Sequence, residues 1–304
     1  MKAAAFASFG GPEVMRVMEF PEPQAGPGQV RVQVKAAGVQ HFDCAVRKEL
    51  SPAGVAVNFP QIPGNEFAGV IDQIGEGVTG FAKGDEVLGF NILNCYAEYV
   101  VVNASQIVHK PKTMLWAEAG GLSGNGQGAY AALKAIGVTP GDTILIHGAA
   151  GTLGSIAVQL AREWGAGTVI GTASEYNHDY LRSLGAIPVT YGEGLVERVR
   201  AIAPNGVDAA FDTAGAEAVR ASVELVKDRS RICTFAAPEL NAELGLATVR
   251  AERTAARLAE LVELHTKGKL RLLIRQTFPL ERADEAHRLI ETRRGRGKIV
   301  LTLE

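Results

Sequence analysis

The chain has 304 residues, 47% hydrophobic and 21% charged, with 31 basic against 33 acidic side chains. This is ordinary globular composition, long enough for two modest cores, and a net charge of −2 gives no electrostatic reason to expect a nucleic-acid partner. Three scattered cysteines exclude a disulfide framework, the N-terminal apolar stretch is too short for a signal peptide, and no run reaches membrane-spanning length; a cytoplasmic protein is expected.

Residues 1 to about 115 read as β-rich, with strands broken by Gly and Pro. Residues 29–35 alternate apolar and polar, as a half-buried strand does. Further strands are expected at 67–74, after the turn-rich stretch 75–88, at 96–102 and at 107–110. Together they predict a small, partly closed antiparallel barrel. From Trp116 the period changes. Residues 117–137 read as a broken helical segment, with Gly120, Gly121, Gly124, Gly126 and Gly128 inside it. Strand patterns at 142–147, 168–173, 187–191, 207–211 and 231–236 then alternate with helical patterns at 153–164, 177–184, 194–203 and 216–227. Such βαβ repetition predicts a doubly wound parallel sheet with helices on both faces. An amphipathic helix is expected at 251–267, then a strand, a helix and a strand at 277–280, 283–293 and 298–303, outside that sheet. The basic run 293–298 reads as a solvated loop.

The stretch 142–161 carries the most chemical information. An apolar run reaches a turn at Gly148, Gly151 and Gly154, and an amphipathic helix follows at once. Gly151 lets a pyrophosphate approach the backbone, Gly154 lets the helix pack close to the strand, and the first helical N–H groups face the phosphates. Gly151, Thr152, Leu153 and Gly154 are therefore the dinucleotide-binding candidates. At the end of the next strand pattern, where NAD-binding units carry an acidic residue for the ribose 2′-OH, stand Gly171, Thr172, Ala173 and Ser174. Ser174 and Asn177 can donate to a 2′-phosphate, whereas Glu175 would repel one if it pointed inward. The corner favours NADPH over NADH. Tyr191, at the end of the third strand pattern, either stacks on the adenine or is a strand-end tyrosine. Tyr130 and Lys134 match the Tyr-x-x-x-Lys pair of short-chain dehydrogenases, but they precede the glycine loop, the wrong order, and read as one helix face.

Seven motifs in chain order carry a resemblance: G-G-P-E-V at 10–14, A-A-G-V at 36–39, P-G-N-E-F-A-G at 63–69, V-T-G-F-A-K-G-D-E-V at 78–87, Y-A-E-Y-V at 96–100, the glycine loop, and G-K-I-V at 297–300. Over essentially its whole length the chain resembles the medium-chain dehydrogenase/reductase superfamily, within it the zinc-independent quinone oxidoreductase (zeta-crystallin-like) group. The resemblance implies an α/β fold: a GroES-like, partly closed β-barrel domain, 1–117 with 269–304, and a Rossmann dinucleotide-binding domain, 118–268. It implies a nicotinamide in the cleft separating them, with Thr213, Ala214 and Phe235 as cofactor-lining candidates.

Gln40 stands where the zinc alcohol dehydrogenases of the superfamily carry a Cys, and Asn65 where they carry a His. A four-Cys structural site is impossible with three cysteines, and His109, His147, His265 and His287 show no ligand spacing, so no metal is expected. The zinc-free reductases have Asn-x-x-Asp beside the nicotinamide; here Gln40 and Asp43 occupy that pattern and are the catalytic candidates, with His41 between them. Asp43 can instead cap a helix turn, and His41 can face solvent. Gly128 replaces the group's usual Thr. Without a metal to polarise a ketone, the expected reaction is hydride transfer from NADPH to a quinone or an α,β-unsaturated carbonyl, whose reduced forms are stabilised anions. An enoyl-thioester reductase of the same fold and a non-catalytic NADPH-binding sensor or structural protein remain alternatives. A homodimer is expected, paired through an edge strand near 243–249.

Overall fold

The computed structural model describes residues 1–50, 55–249 and 252–303. The chain divides into two compact units: Met1–Gly124, Arg253–Thr266 and Leu272–Glu304 form one, and Asn125–Glu252 with Lys267–Arg271 form the other. Residues 253–266, expected within the dinucleotide-binding domain at 118–268, group with the first unit.

In the first unit, strands β1 (Lys2–Ala5) and β2 (Arg16–Glu19) form an antiparallel pair. The organising strand is β3 (Gln29–Val39), longer than its alternating stretch because its last four residues are all buried. Helix α1 (His41–Arg47) follows it directly. Then come β4 (Glu66–Ile74), β5 (Glu86–Phe90), β6 (Tyr99–Asn103) and β7 (Ile107–His109). One edge of β3 pairs antiparallel with β4 along its length. Its other edge pairs with β6 at residues 29–33 and with β14 (Lys298–Thr302) at residues 36–39. The tail of the chain therefore completes the sheet, with β13 (Ile274–Pro279) parallel to β14. Val30, Val32 and Val34 point with Phe67, Ile71, Val87, Val100 and Leu301 into one core. Helix α2 (Trp116–Ala135) is continuous, not broken as its glycines suggested; each of Gly120, Gly121 and Gly124 lies where a Cβ would strike a neighbouring element. A helix bears such glycines when close approach outweighs their cost of about 1 kcal/mol each.

The second unit is a parallel sheet. Strands β8 (Thr143–His147), β9 (Thr168–Thr172), β10 (Ile187–Val189), β11 (Ala209–Asp212) and β12 (Ile232–Thr234) stand in the order β10-β9-β8-β11-β12. The chain moves outward from β8 to β10, then returns to the other side at β11, so the order reverses between β8 and β11, where ligands bind doubly wound sheets. The crossovers are helices α3 (Thr152–Glu163), α4 (His178–Ser183), α5 (Leu195–Ile202) and α6 (Ala216–Leu225).

Two further expectations are corrected. The segment 243–249 is not an edge strand. Residues Glu239–Leu244 form helix α7, closed by Gly245 at φ +66°, and the Ala247 N–H bonds the Ile232 carbonyl. Glu, Leu and Ala favour a helix, and the left-handed glycine stops it. The amphipathic helix is α8 (Ala255–Thr266), packed beside β7, and shorter than 251–267; Ala251 lies outside the described residues. Helix α9 (Ala283–Glu291) precedes β14. Among the described residues no helix is long and apolar enough to cross a membrane. Cys44, Cys95 and Cys233 are free and buried, and burial pushes all three thiols up.

Candidate functional site

In the second unit, β8 ends at His147 and the chain turns through Gly148 at φ +66°. Gly151 is the N-cap of α3 and offers no side chain, so the first N–H groups of a 12-residue helix are left for an outside acceptor. A Cβ on Gly154 would strike the Gly148 carbonyl and come within 2.8 Å of the Ala149 Cα. The helix and the turn are in contact there, as the sequence spacing required. Thr152 and Leu153 form the first turn, and a Cβ on Gly128 would lie 3.5 Å from Leu153 Cδ1 and 3.4 Å from Phe235 Cε2. Gly128, Leu153 and Phe235 thus converge. The Thr213 hydroxyl donates to the His147 carbonyl at 2.8 Å, which ties the loop after β11 to the end of β8.

Beneath this loop lies a buried polar relay that the sequence did not disclose. His147 Nε2 meets Ser222 Oγ at 2.9 Å, and Nδ1 meets Thr172 Oγ1 at 3.3 Å. Ser222 Oγ already donates to the Ala218 carbonyl, and Thr172 Oγ1 accepts from Gly148 N–H. The only consistent pattern has the proton on Nε2, with Thr172 donating to Nδ1. Burial pushes this imidazole down to about 4, so it is neutral.

At the end of β9, Asn177 Nδ2 donates to Ser174 Oγ at 3.1 Å, while Asn177 Oδ1 is buried without a partner. Glu175 is exposed, and Tyr176 is 83% exposed. Tyr191 is 61% exposed and stands two residues beyond the end of β10. Arg182 is held by Asp179 at 2.7 Å. A further cation near this strand end is Arg198, whose Nε donates to the Thr190 carbonyl at 3.1 Å. It lies seven residues past Tyr191, on α5, where no motif marks it.

In the first unit, Gln40 is the extended N-cap of α1, and its N–H donates to Asp43 Oδ2 at 2.8 Å. Asp43 thus caps the turn. The Tyr96 hydroxyl donates to the same oxygen at 2.7 Å, while Oδ1 is buried with no partner. Burial pushes the Asp43 carboxyl up to about 7 against these two hydrogen bonds. His41 is exposed.

Gln40 also reaches inward. Its Nε2 donates to Glu66 Oε1 at 2.7 Å, Lys298 Nζ pairs with that oxygen at 2.6 Å, and Gly124 N–H donates to Oε2 at 2.6 Å. Lys298 and Glu66 are 2% and 0% exposed. Three glycines make room for this network. A Cβ on Gly38 would strike the Glu66 carboxylate, one on Gly121 would lie 2.7 Å from Lys298 Cγ, and one on Gly124 would collide with the Gln40 amide. Glu66, Tyr96 and Lys298 each sit in a motif, but nothing in the sequence shows that they meet.

This donor set does not fit zinc. Where the zinc enzymes present thiolate and imidazole, Gln40 offers an N–H, Asn65 a neutral amide, and the adjacent carboxylate already holds an ammonium. Among the described residues, no three His, Cys, Asp or Glu side chains converge as a metal cage. His109 is exposed, His265 pairs with Glu118, and His287 is buried against Arg47 at 3.1 Å.

Comparison with known proteins agrees with this architecture. Residues 26–112 match the alcohol dehydrogenase GroES-like domain, and residues 184–301 match the zinc-binding dehydrogenase family. The quinone oxidoreductase structure from Coxiella burnetii is 30% identical with a TM-score of 0.88, covering 100% of this chain and 99% of that one. The Escherichia coli quinone oxidoreductase complexed with NADPH is 26% identical with a TM-score of 0.88, covering 100% of both chains. An NAD-dependent alcohol dehydrogenase of Sulfolobus acidocaldarius is 29% identical over 99% of both chains. By its fold, its motifs and these likenesses, the chain belongs to the medium-chain dehydrogenase/reductase family, in the zinc-independent quinone oxidoreductase group.

Proposed function

We propose that the chain is an NADPH-dependent, zinc-free oxidoreductase that transfers hydride to a quinone or an α,β-unsaturated carbonyl. The observation that carries this reading is the Gln40–Glu66–Lys298 network, which puts an internal ion pair and an amide where zinc relatives present metal ligands. A simple ketone needs its oxygen polarised by a metal or a strong donor; a quinone or enone takes hydride more readily because its product anion is delocalised.

The bound cofactor would supply the hydride. Gly151, Thr152, Leu153 and Gly154 would hold its pyrophosphate at the uncapped start of α3, with Thr213 and Phe235 lining the neighbouring loops. Ser174, Asn177 and Tyr191 would receive the adenosine end. Glu175 is exposed, and Arg198 adds a cation nearby, which supports a 2′-phosphate there. Gln40 would face the acceptor side, held from below by Glu66 and at its backbone by Asp43. Asp43 is a positioning residue in this scheme, its carboxyl being wholly buried.

The test is oxidation of NADPH and NADH by metal-stripped protein against a panel of quinones and enones. Turnover with NADPH that chelators leave unchanged is expected. NADPH binding with no turnover on any acceptor would overturn the reading and favour a sensor or a thioester reductase.

A further inference from the structure

In the polar cluster of the first unit, Arg253 has no acidic partner among the described residues. Arg253 Nη1 donates to the Asn65 carbonyl and Nη2 to the Asn91 carbonyl, each at 2.6 Å, and its guanidinium lies 5.2 Å from the centre of the Phe90 ring. No carboxylate of a described residue comes within 4.0 Å of it. Two of its five N–H donors are thus engaged, both by neutral oxygens, and the other three meet no acceptor among the described residues. The charges nearby do not balance it. Glu66 is matched by Lys298 at 2.6 Å, and burial pushes the Asp43 carboxyl up to about 7, so it supplies only part of a negative charge at neutral pH. The cluster therefore carries an excess positive charge beside Asn65, whose side-chain oxygen is buried without a partner. A half-buried guanidinium without a counter-charge is an incomplete ion pair, and its planar fork matches a carboxylate.

Resting on the hydride-transfer reading above, we infer that Arg253 recognises an anionic group on the acceptor, so that the preferred substrates are enones or quinones bearing a carboxylate. The two backbone carbonyls fix the guanidinium plane, and the Asn65 amide adds a neutral hydrogen-bonding group beside it. The cofactor's phosphates are the other source of the same anion chemistry, and the experiment separates the two.

The probe is a matched pair, 3-acetylacrylate and its methyl ester, in which one methyl group removes the charge. Wild-type protein is expected to favour the acid at least tenfold in kcat/KM, mainly through KM, with the advantage falling as salt rises. In Arg253→Met that ratio collapses toward one, and Arg253→Lys retains part of it. NADPH affinity, measured separately by fluorescence, stays with the wild type. Equal handling of acid and ester by the wild type overturns the inference without any variant having to fold. A ratio that survives Arg253→Met while NADPH affinity falls assigns the guanidinium to the cofactor and also overturns it. Direct binding of acid and ester by ligand-observed NMR keeps the two readings apart. Acid-selective binding without turnover would leave this inference standing and remove the hydride-transfer reading; binding without selectivity would remove this inference.

Discussion

Replacing Lys298 by Met tests the internal ion pair most directly. The ammonium is 2% exposed and sits 2.6 Å from a Glu66 carboxylate that is 0% exposed. Methionine keeps the apolar stem and removes the ammonium group. Glu66 would keep its hydrogen bonds from Gln40 and Gly124, but its negative charge would lie buried without a counter-ion. Breaking such a pair from one side costs about 3–5 kcal/mol. For a unit of this size that corresponds to a drop of roughly 6–20 °C in the unfolding midpoint. The assay is urea and thermal unfolding followed by fluorescence in a Trp164→Phe background, which leaves Trp116 as the reporter in the first unit. Adding Glu66→Gln to Lys298→Met removes the stranded charge, so the double variant should recover part of the loss. A loss below about 1 kcal/mol, or a double variant that loses the sum of the two single effects, would refute the argument that the pair is held in a poorly solvated site.

Two glycines of helix α2 should respond to alanine with opposite signs. Gly124→Ala drives a methyl into the Gln40 amide and should destabilise by more than 1 kcal/mol and lower activity, whereas Gly128→Ala meets Phe235 and Leu153 at 3.4 and 3.5 Å and should gain up to about 1 kcal/mol. Denaturant midpoints check both, and equal signs would contradict the packing described. Stability should also peak near pH 6.5. Burial pushes His287 down to about 3, helped by Arg47, and His147 down to about 4, so the unfolded chain binds the extra protons below 6.5 and stability falls on acidification. Burial raises Asp43 from 3.8 to about 7, so its contribution is present below 3.8 and is lost as pH rises to about 7. Two histidines against one carboxyl leave a net rise of about 1.4 kcal/mol per unit between pH 4 and 6.5. Asp43→Asn should roughly double that slope, and an unchanged slope would show that Asp43 titrates normally.

The βαβ alternation after Trp116 was legible because each strand is a short apolar run and each helix is amphipathic, signals that are local in sequence. The glycine loop was legible for the same reason: strand, turn and helix are contiguous. Helix α2 was misjudged because its glycines have a purely three-dimensional cause, the Glu66–Lys298 network and Ala36 pressing on its face. Gln40 and Asp43 could be singled out by motif, but the partners that fix them, Glu66, Tyr96 and Lys298, lie 26, 53 and more than 250 positions away. The edge strand expected at 243–249 failed because Gly245 takes a left-handed conformation that ends helix α7 there, and the short apolar stretch beyond it forms no strand. Arg253 lies in no motif and gains meaning only from the two carbonyls it meets.

The three buried thiols give the molecule a built-in clock. A thiol reacts as its thiolate, and burial holds Cys44, Cys95 and Cys233 in the protonated form with their sulfurs screened from solvent. Alkylation therefore has to wait for local opening. Cys44 and Cys95 belong to the first unit and Cys233 to the second, so the mass shift of each cysteine-bearing peptide, followed over time in a dilute alkylating reagent, times the opening of each unit separately in a single unmodified sample.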